Sequence, residues 1–209
     1  MTASKRIRVG RKSVTARRNV KSEPTLPADQ RSRNKDYLDQ NEMDQLLAAA
    51  RAGRHGTRDF LLLMMVYRHG LRVSEAVSMR VSDVNLKRAR LWVKRLKNGL
   101  SVEQPIPGDE LRAIKRYLAK RTSGLPWLFL SERGQPLTRQ SVNYIVARAA
   151  EQAGLANVHP HTLRHSCGFY LANQGYDLRL IQDYLGHRDP KHTAHYTRVA
   201  AVRFEGLWG

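Results

Sequence analysis

Cysteine is nearly absent: Cys167 is the one cysteine in 209 residues. An internal disulfide is excluded, and the chain is expected in a reducing compartment, the cytoplasm. Long apolar runs are missing too. None approaches the ~20 residues that a membrane-spanning helix needs, and the basic N-terminus lacks the apolar stretch of a secretory signal. No membrane partner is expected. Acidic residues are scarce beside basic ones, 18 against 37, which leaves a formal net charge of +19. A surplus of that size steers polyanions toward the chain, so nucleic acid is the expected partner. A basic structural protein of the ribosomal kind is the bland alternative. Apolar residues are not scarce: at 41% they suffice for a core in one domain of this length.

The charge is unevenly spread. Residues 1–36 carry eleven Lys/Arg against three acids and almost no large apolar side chain, and Pro24 and Pro27 interrupt them. This composition predicts a disordered basic arm. Lys5, Arg6, Arg8, Arg11, Lys12, Arg17 and Arg18 are its candidate DNA contacts. A folded domain is expected over 37–209. It begins at "YLDQNEMDQLLAAARAG", where Asp39 and Glu42 have capping-box spacing and Met43, Leu46, Leu47 and Ala50 recur with helical period, up to Gly53. "TRDFLLLMMVYRHG" (57–70) is apolar nearly all round and predicts a buried central helix capped by Gly70. A short helix follows over Ser74 to Met79. Between 90 and 107 the period changes to two, and Asn98–Gly99 is a strong turn signal, so a β-hairpin is expected. Helices return at about 109–121, 138–152, 161–174, 177–185 and 190–197, punctuated by Gly124, Gly134, Gly154, Gly175 and Gly186. The expected class is mainly α with one small antiparallel sheet.

The chemistry concentrates in "HPHTLRHSCG" (159–168). His161 and His165, four apart, share a helix face as metal-binding pairs do, but position 162 is threonine where a zinc protease carries its glutamate, and no carboxylate lies in the stretch. Arg164 near the same face opposes a dication. No metal is expected. Cys167 lies two residues from His165 and faces away from it on a helix, which favours a small buried side chain over a thiol nucleophile. An anion fits better. His161 and Arg164 share one face near a helix N-terminus, where free N–H groups and the dipole favour phosphate, and arginine grips phosphate oxygens with two donors. A plain solvated His/Arg face is the alternative for this helix alone.

Further along, "LIQDYLGHRDPKHTAHYTRV" (180–199) places Tyr196 nine residues after His187. A phenol is a poor nucleophile until it loses its proton, and nearby positive charge helps it do so. Arg72 in "HGLRVSEA" follows the end of a buried helix, and Lys97 sits at the hairpin tip. In chain order the set is Arg72, Lys97, His161, Arg164, His187 and Tyr196.

This order and spacing, over roughly residues 37–199, resembles the tyrosine recombinase (phage integrase) family. G-L-R-x-S-E, lysine at the β-turn, H-x-L-R-H, L-G-H and a tyrosine nine residues later are each weak motifs, and in sequence they are highly specific. "RLIQDYLGHR", "HPHTLRHSCG" and the ending "RFEGLW" look like the fimbrial phase-switch subgroup. The resemblance implies the recombinase catalytic-domain fold and an enzyme that cuts and rejoins DNA without a cofactor. Tyr196 would be the nucleophile, and Arg72 and Arg164 the phosphate clamp. Lys97 would be the general acid, His161 would help to take the tyrosine proton, and His187 would bond the phosphate. Glu75 is expected to orient Arg72, and His165 to be structural. Implied partners are double-stranded DNA with short inverted repeats, further copies of the chain in a tetrameric synapse, and DNA-bending accessory proteins at a bacterial nucleoid. Phe204, Leu207 and Trp208 fall at helical spacing, so 199–209 is expected to pack on a neighbouring protomer. Most members carry an N-terminal core-binding domain that closes around DNA; here only the arm precedes the catalytic region, as in the fimbrial subgroup.

Other classes stay open at this point. "LTRQSVNYIVARAAEQAGL" (137–155) would pass for the groove-reading helix pair of a non-catalytic DNA-binding regulator. A metal-dependent nuclease and a type IB topoisomerase-like strand transferase are the others.

Overall fold

The computed structural model describes residues 36–96 and 99–198. Lys97, the seven candidate arm contacts and the segment 199–209 lie outside the described residues.

The first helix, α1 (Gln40–Ala52), starts at the expected capping box. The Asp39 side chain accepts from the Glu42 N–H at 3.0 Å, and the Glu42 side chain accepts from the Asp39 N–H at 2.9 Å. Its apolar stripe buries Met43, Leu46 and Ala50. Helix α2 (Gly56–Arg68) is central, as its all-round apolar sequence requires: every residue from Leu61 to Tyr67 is buried. Helices α1, α4 (Gly108–Lys120) and α6 (Pro160–Asn173) pack against it, and α3 (Val73–Ser78) follows it directly. Helix α5 (Arg139–Gln152) lies on α1 and α3. Helices α7 (Leu178–Leu185) and α8 (Lys191–Arg198) close over α6.

The sheet is larger than the expected hairpin by one strand. Strand β2 (Arg90–Val93) pairs antiparallel with β3 (Val102–Pro105), with Leu91 opposite Gln104, and also with a two-residue strand, β1 (Val84–Asn85). Two residues carry no periodicity, so β1 left no trace in the sequence. Leu91 and Val93 point into the core while Trp92 faces out.

Two helices end in the same way. Gly70 lies in the left-handed region at φ +54, with its N–H on the Tyr67 carbonyl (3.2 Å) and the Leu71 N–H on the Val66 carbonyl (3.0 Å). Gly186 repeats this at φ +67, with its N–H on Asp183 and the His187 N–H on Gln182 (3.1 and 3.0 Å). Each is a glycine stop that turns the chain sharply back over the last helical turn. Arg72 emerges two residues after the first turn, and His187 one residue after the second.

Candidate active site

Arg72 caps α3, and Glu75 fixes it twice: one carboxylate oxygen accepts from the Arg72 backbone N–H and the other from its Nη1, both at 2.9 Å. The Arg72 side chain keeps 27% of its exposure, so its remaining donors can reach a ligand. Glu75 is itself buried. Burial alone would raise its pKa, but the charge of Arg95 and the hydrogen bonds from Arg72 and Arg95 outweigh it and hold it below the ordinary carboxylate range. Arg164, on α6, is buried as well. Its guanidinium donates to the carbonyls of Gly70 and Leu185, the second at 2.8 Å, and lies 4.0 Å from Glu75. Burial, then the neighbouring charges of Arg95 and Arg72, push its pKa down to about 10. It stays cationic near neutrality.

The glycine turns supply those carbonyl anchors. Gly70 and Leu185 each flank one of the two helix ends, so Arg164 bridges α2 and α7 while Glu75 bridges α3 and the hairpin.

Tyr196, on α8, is buried beside this cluster, with its hydroxyl 3.0 Å from Nδ1 of His165. Phe169 meets its ring edge-on at 5.2 Å, and the His187 ring lies roughly parallel at 6.4 Å. Burial pushes the phenol up to about 12, against the lowering charge of Arg164. His187 is buried, and its Nδ1 pairs with the Thr193 hydroxyl at 2.9 Å. Burial first, then the charges of Arg164 and Arg72, bring its pKa down to about 3, so it is neutral at physiological pH.

The structure therefore brings Arg72, Glu75, Arg164, His187 and Tyr196 together with His165. His161, which the sequence reading placed at the tyrosine proton, sits one helical turn before His165. It is exposed, packs edge-on against the His165 ring at 4.6 Å, and has no hydrogen bond to Tyr196 among the described residues. Desolvation, then the charges of His165 and Arg164, lower its pKa. Lys97 and the arm contacts lie outside the described residues.

Two residues escaped the sequence reading. Arg95, two residues beyond β2, is 5% exposed. Its Nη1 donates to Glu75 (2.8 Å) and to the Gly70 carbonyl (3.0 Å), and its Nη2 to the carbonyls of His69 (2.9 Å) and Tyr184 (2.6 Å). One guanidinium thus ties together the hairpin, both glycine turns and the carboxylate behind Arg72. The inward alternation Leu91, Val93, Arg95 was the available signal. The other is His159, which caps α6: its Nδ1 accepts from the Thr162 N–H at 3.2 Å, and Pro160 fills the first helical position. Histidine is an uncommon cap, and nothing in the composition announced it.

Cys167 is buried, and burial pushes its thiol up to about 12, so it is inert as a nucleophile. Tyr184 donates its hydroxyl to the Arg68 carbonyl at 2.8 Å, and burial raises its pKa. Among the described residues no group of three or more His, Cys, Asp or Glu is arranged to hold a metal ion. A groove of about 650 Å³ opens beside Glu75 and Leu96, with Arg80, Lys94 and Trp92 on its walls.

Residues 36–203 match the model of the phage integrase family. The chain belongs to that family. Over 186 residues it is 45% identical to the type 1 fimbriae regulatory protein FimB of Escherichia coli K12, covering 87% of this chain and 92% of FimB. FimE of the same strain is 41% identical over 181 residues, covering 82% of this chain and 90% of FimE. Among solved structures, the XerA recombinase superposes with a TM-score of 0.68 at 27% identity, over 77% of this chain and 58% of XerA. The chain thus spans little more than half of that recombinase. The helical domain with its small antiparallel sheet is the tyrosine recombinase catalytic fold, and the enzyme is a site-specific tyrosine recombinase.

Proposed function

We propose that the chain inverts a DNA segment flanked by short inverted repeats, as a switch of fimbrial expression, through a covalent intermediate on Tyr196. One observation carries the assignment of the site: a buried tyrosine lies beside a cluster of arginines, with its hydroxyl already on an imidazole nitrogen. Tyr196 attacks the scissile phosphate in line. A 3′-phosphotyrosine and a free 5′-hydroxyl form, and the phosphodiester bond energy is kept, so no nucleotide cofactor is needed. The 5′-hydroxyl of a partner strand then attacks the phosphotyrosine and restores DNA; the second strands repeat the exchange.

Arg72 and Arg164 grip the non-bridging oxygens and stabilise the added charge of the pentacoordinate state. Glu75 and Arg95 hold both guanidiniums in place before DNA arrives, so no reorganisation is needed as the charge develops. His187 is neutral. Its Nδ1 shares a hydrogen bond with the Thr193 hydroxyl, and in the tautomer that keeps the proton on Nε2 that N–H can bond a phosphate oxygen. Lys97 protonates the leaving 5′-oxygen. These cations do the work that metal ions do in other phosphoryl-transfer sites.

Binding follows from charge. The net surplus of +19 favours a DNA backbone, and the arm, residues 1–36, adds sequence-independent contacts along it. Four copies form the synapse, with the 199–209 segment of each packed on a neighbour. Accessory proteins bend the DNA between repeats, at the nucleoid of a bacterial cytoplasm. A plasmid bearing the candidate inverted repeats tests this: incubation with the protein should invert the segment, read by sequencing the new junctions, and should do so in excess EDTA. Relaxation of supercoils without inversion would instead indicate a topoisomerase-like strand transferase.

A further inference from the structure

The end of α2 offers three successive backbone carbonyls to its neighbours. That of Arg68 accepts from the Tyr184 hydroxyl at 2.8 Å, and that of His69 from Arg95 Nη2 at 2.9 Å. That of Gly70 accepts from Arg95 Nη1 at 3.0 Å and from Arg164. The place of this turn therefore sets the place of both arginines. One side chain of the turn is titratable, fully buried and without a part in the proposed reaction: His69.

Both nitrogens of its ring are engaged. Nδ1 lies 2.6 Å from Oε1 of Gln104 on β3, and Nε2 lies 2.7 Å from Oε1 of Glu110 on α4; both partners are buried. The Gln104 amide nitrogen donates to the Tyr184 carbonyl at 2.9 Å. A carbonyl can only accept, so the amide is fixed with its oxygen toward His69, and Nδ1 carries a proton and donates it. A further proton lies between Nε2 and the Glu110 carboxyl, since without it two lone pairs would face each other at 2.7 Å. The other carboxyl oxygen lies 3.5 Å from Arg68 Nη1. The Tyr184 carbonyl that takes the Gln104 amide also takes Arg95 Nη2, at 2.6 Å. The bonds close a ring that runs from the His69 side chain through Gln104, the Tyr184 carbonyl and Arg95 back to the His69 carbonyl. It joins α2, the hairpin and α7, and Glu110 braces it from α4.

We propose that His69 is a positioning residue for the phosphate clamp: through Gln104 and Glu110 it locks the turn on which Arg95 and Arg164 are held. This rests on the clamp proposed above. Arg95 passes the constraint to Glu75 at 2.8 Å, and Glu75 passes it to Arg72 at 2.9 Å, so both clamping arginines depend on the same turn. A clamp stabilises developing charge only if its donors are in place beforehand, and a displacement near 1 Å can cost about 10²-fold in rate.

Single-turnover cleavage of a nicked suicide substrate by the full chain tests the assignment. His69→Gln keeps an amide near Nε2 for Glu110 and loses the bond to Gln104. It should bind DNA as the wild type does and cleave about 10²-fold more slowly. Gln104→Met opens the same ring from β3 and should be slow in the same way, so the proposal stays testable if His69→Gln fails to fold. Glu110→Gln keeps the network whole, since its amide can donate to a neutral Nε2, and should cleave within about threefold of the wild type; Glu110→Met, of similar shape but without a hydrogen bond, should be slow. A scissile methylphosphonate, which lacks the charged non-bridging oxygen, separates a clamp defect from a folding defect. It should narrow the gap between His69→Gln and the wild type, as it narrows that of Arg164→Ala, whereas a folding defect would persist on either substrate. If His69→Gln and Gln104→Met cleave within about threefold of the wild type, if Glu110→Gln and Glu110→Met cleave alike, or if the methylphosphonate rescues Arg164→Ala and neither ring variant, His69 does not position the clamp. If Arg164→Ala is not rescued either, the clamp itself falls, and this assignment with it.

Discussion

Gly168 has no room for a side chain. A Cβ there would meet three atoms of the Tyr196 ring at 2.6–2.7 Å, closer than any real contact. Gly168→Ala should therefore push the nucleophile off its position. Stability should fall by about 1–3 kcal/mol, as overpacking usually costs. Cleavage should fall about 10²-fold, as a displacement near 1 Å can cost, with DNA binding unchanged. Cleavage and binding measured on the same preparation separate the two. His187 makes a second prediction at this scale, through pH. Its pKa drops from 6.5 in a free chain to about 3 in the fold, so the unfolded state takes up the proton first. Its contribution is present above the unfolded value and is lost as pH falls through the folded one. Between about pH 7 and about pH 4 the urea midpoint of the wild type should fall more steeply than that of His187→Gln; parallel curves would mean that His187 is not held neutral. For arginine the clamp is the measure: Arg72→Ala and Arg164→Ala should each cost about 10²–10³ in cleavage rate and little in binding.

At the level of elements, the site is made where two helices stop. Gly70 and Gly186 end α2 and α7 in the same left-handed turn, and Arg95 reaches from the sheet to the carbonyls around both. Removing that guanidinium leaves Glu75 buried without its closest partner. Arg95→Met should therefore destabilise the domain by about 3–5 kcal/mol, the usual cost of breaking a buried pair. Arg95→Lys should recover the charge but not four hydrogen bonds, and so restore stability only in part; denaturant unfolding of the two variants decides this. The elements themselves were largely legible. The capping box of α1, the all-apolar α2 and the alternation in β2 are strong local signals, and each formed where its pattern lies. Strand β1 was not legible because two residues have no period. The alternation of β2 could place Arg95 inward, but its role and that of His159 were not legible, because they depend on what the fold brings to them: four acceptors from distant segments for one, a free helix N-terminus for the other. Which histidine lies beside the tyrosine hydroxyl was not legible for a related reason. Spacing along α6 puts His161 and His165 on one face, and only the packing of α8 decides which of them meets Tyr196.

At the scale of the whole molecule, charge and chemistry are separable. The arm's surplus of eight positive charges in residues 1–36 is expected to act on affinity alone. Deleting residues 1–35 should flatten the slope of log K against log salt by about four units if about half the arm's charges engage, at ~0.9 per phosphate. Affinity should drop similarly on target and random DNA, while pre-bound enzyme cleaves at nearly its normal rate. An unchanged slope would mean that the arm touches no phosphate. The covalent step is the central claim, and it has a direct measurement. The wild type and Tyr196→Phe are each incubated with a nicked suicide substrate carrying the inverted repeats, and any DNA-linked peptide is identified by mass. A 3′-phosphate ester on Tyr196 in the wild type, with DNA binding but no adduct in Tyr196→Phe, is the expected result. An adduct on any other residue, or one that persists in Tyr196→Phe, would contradict it.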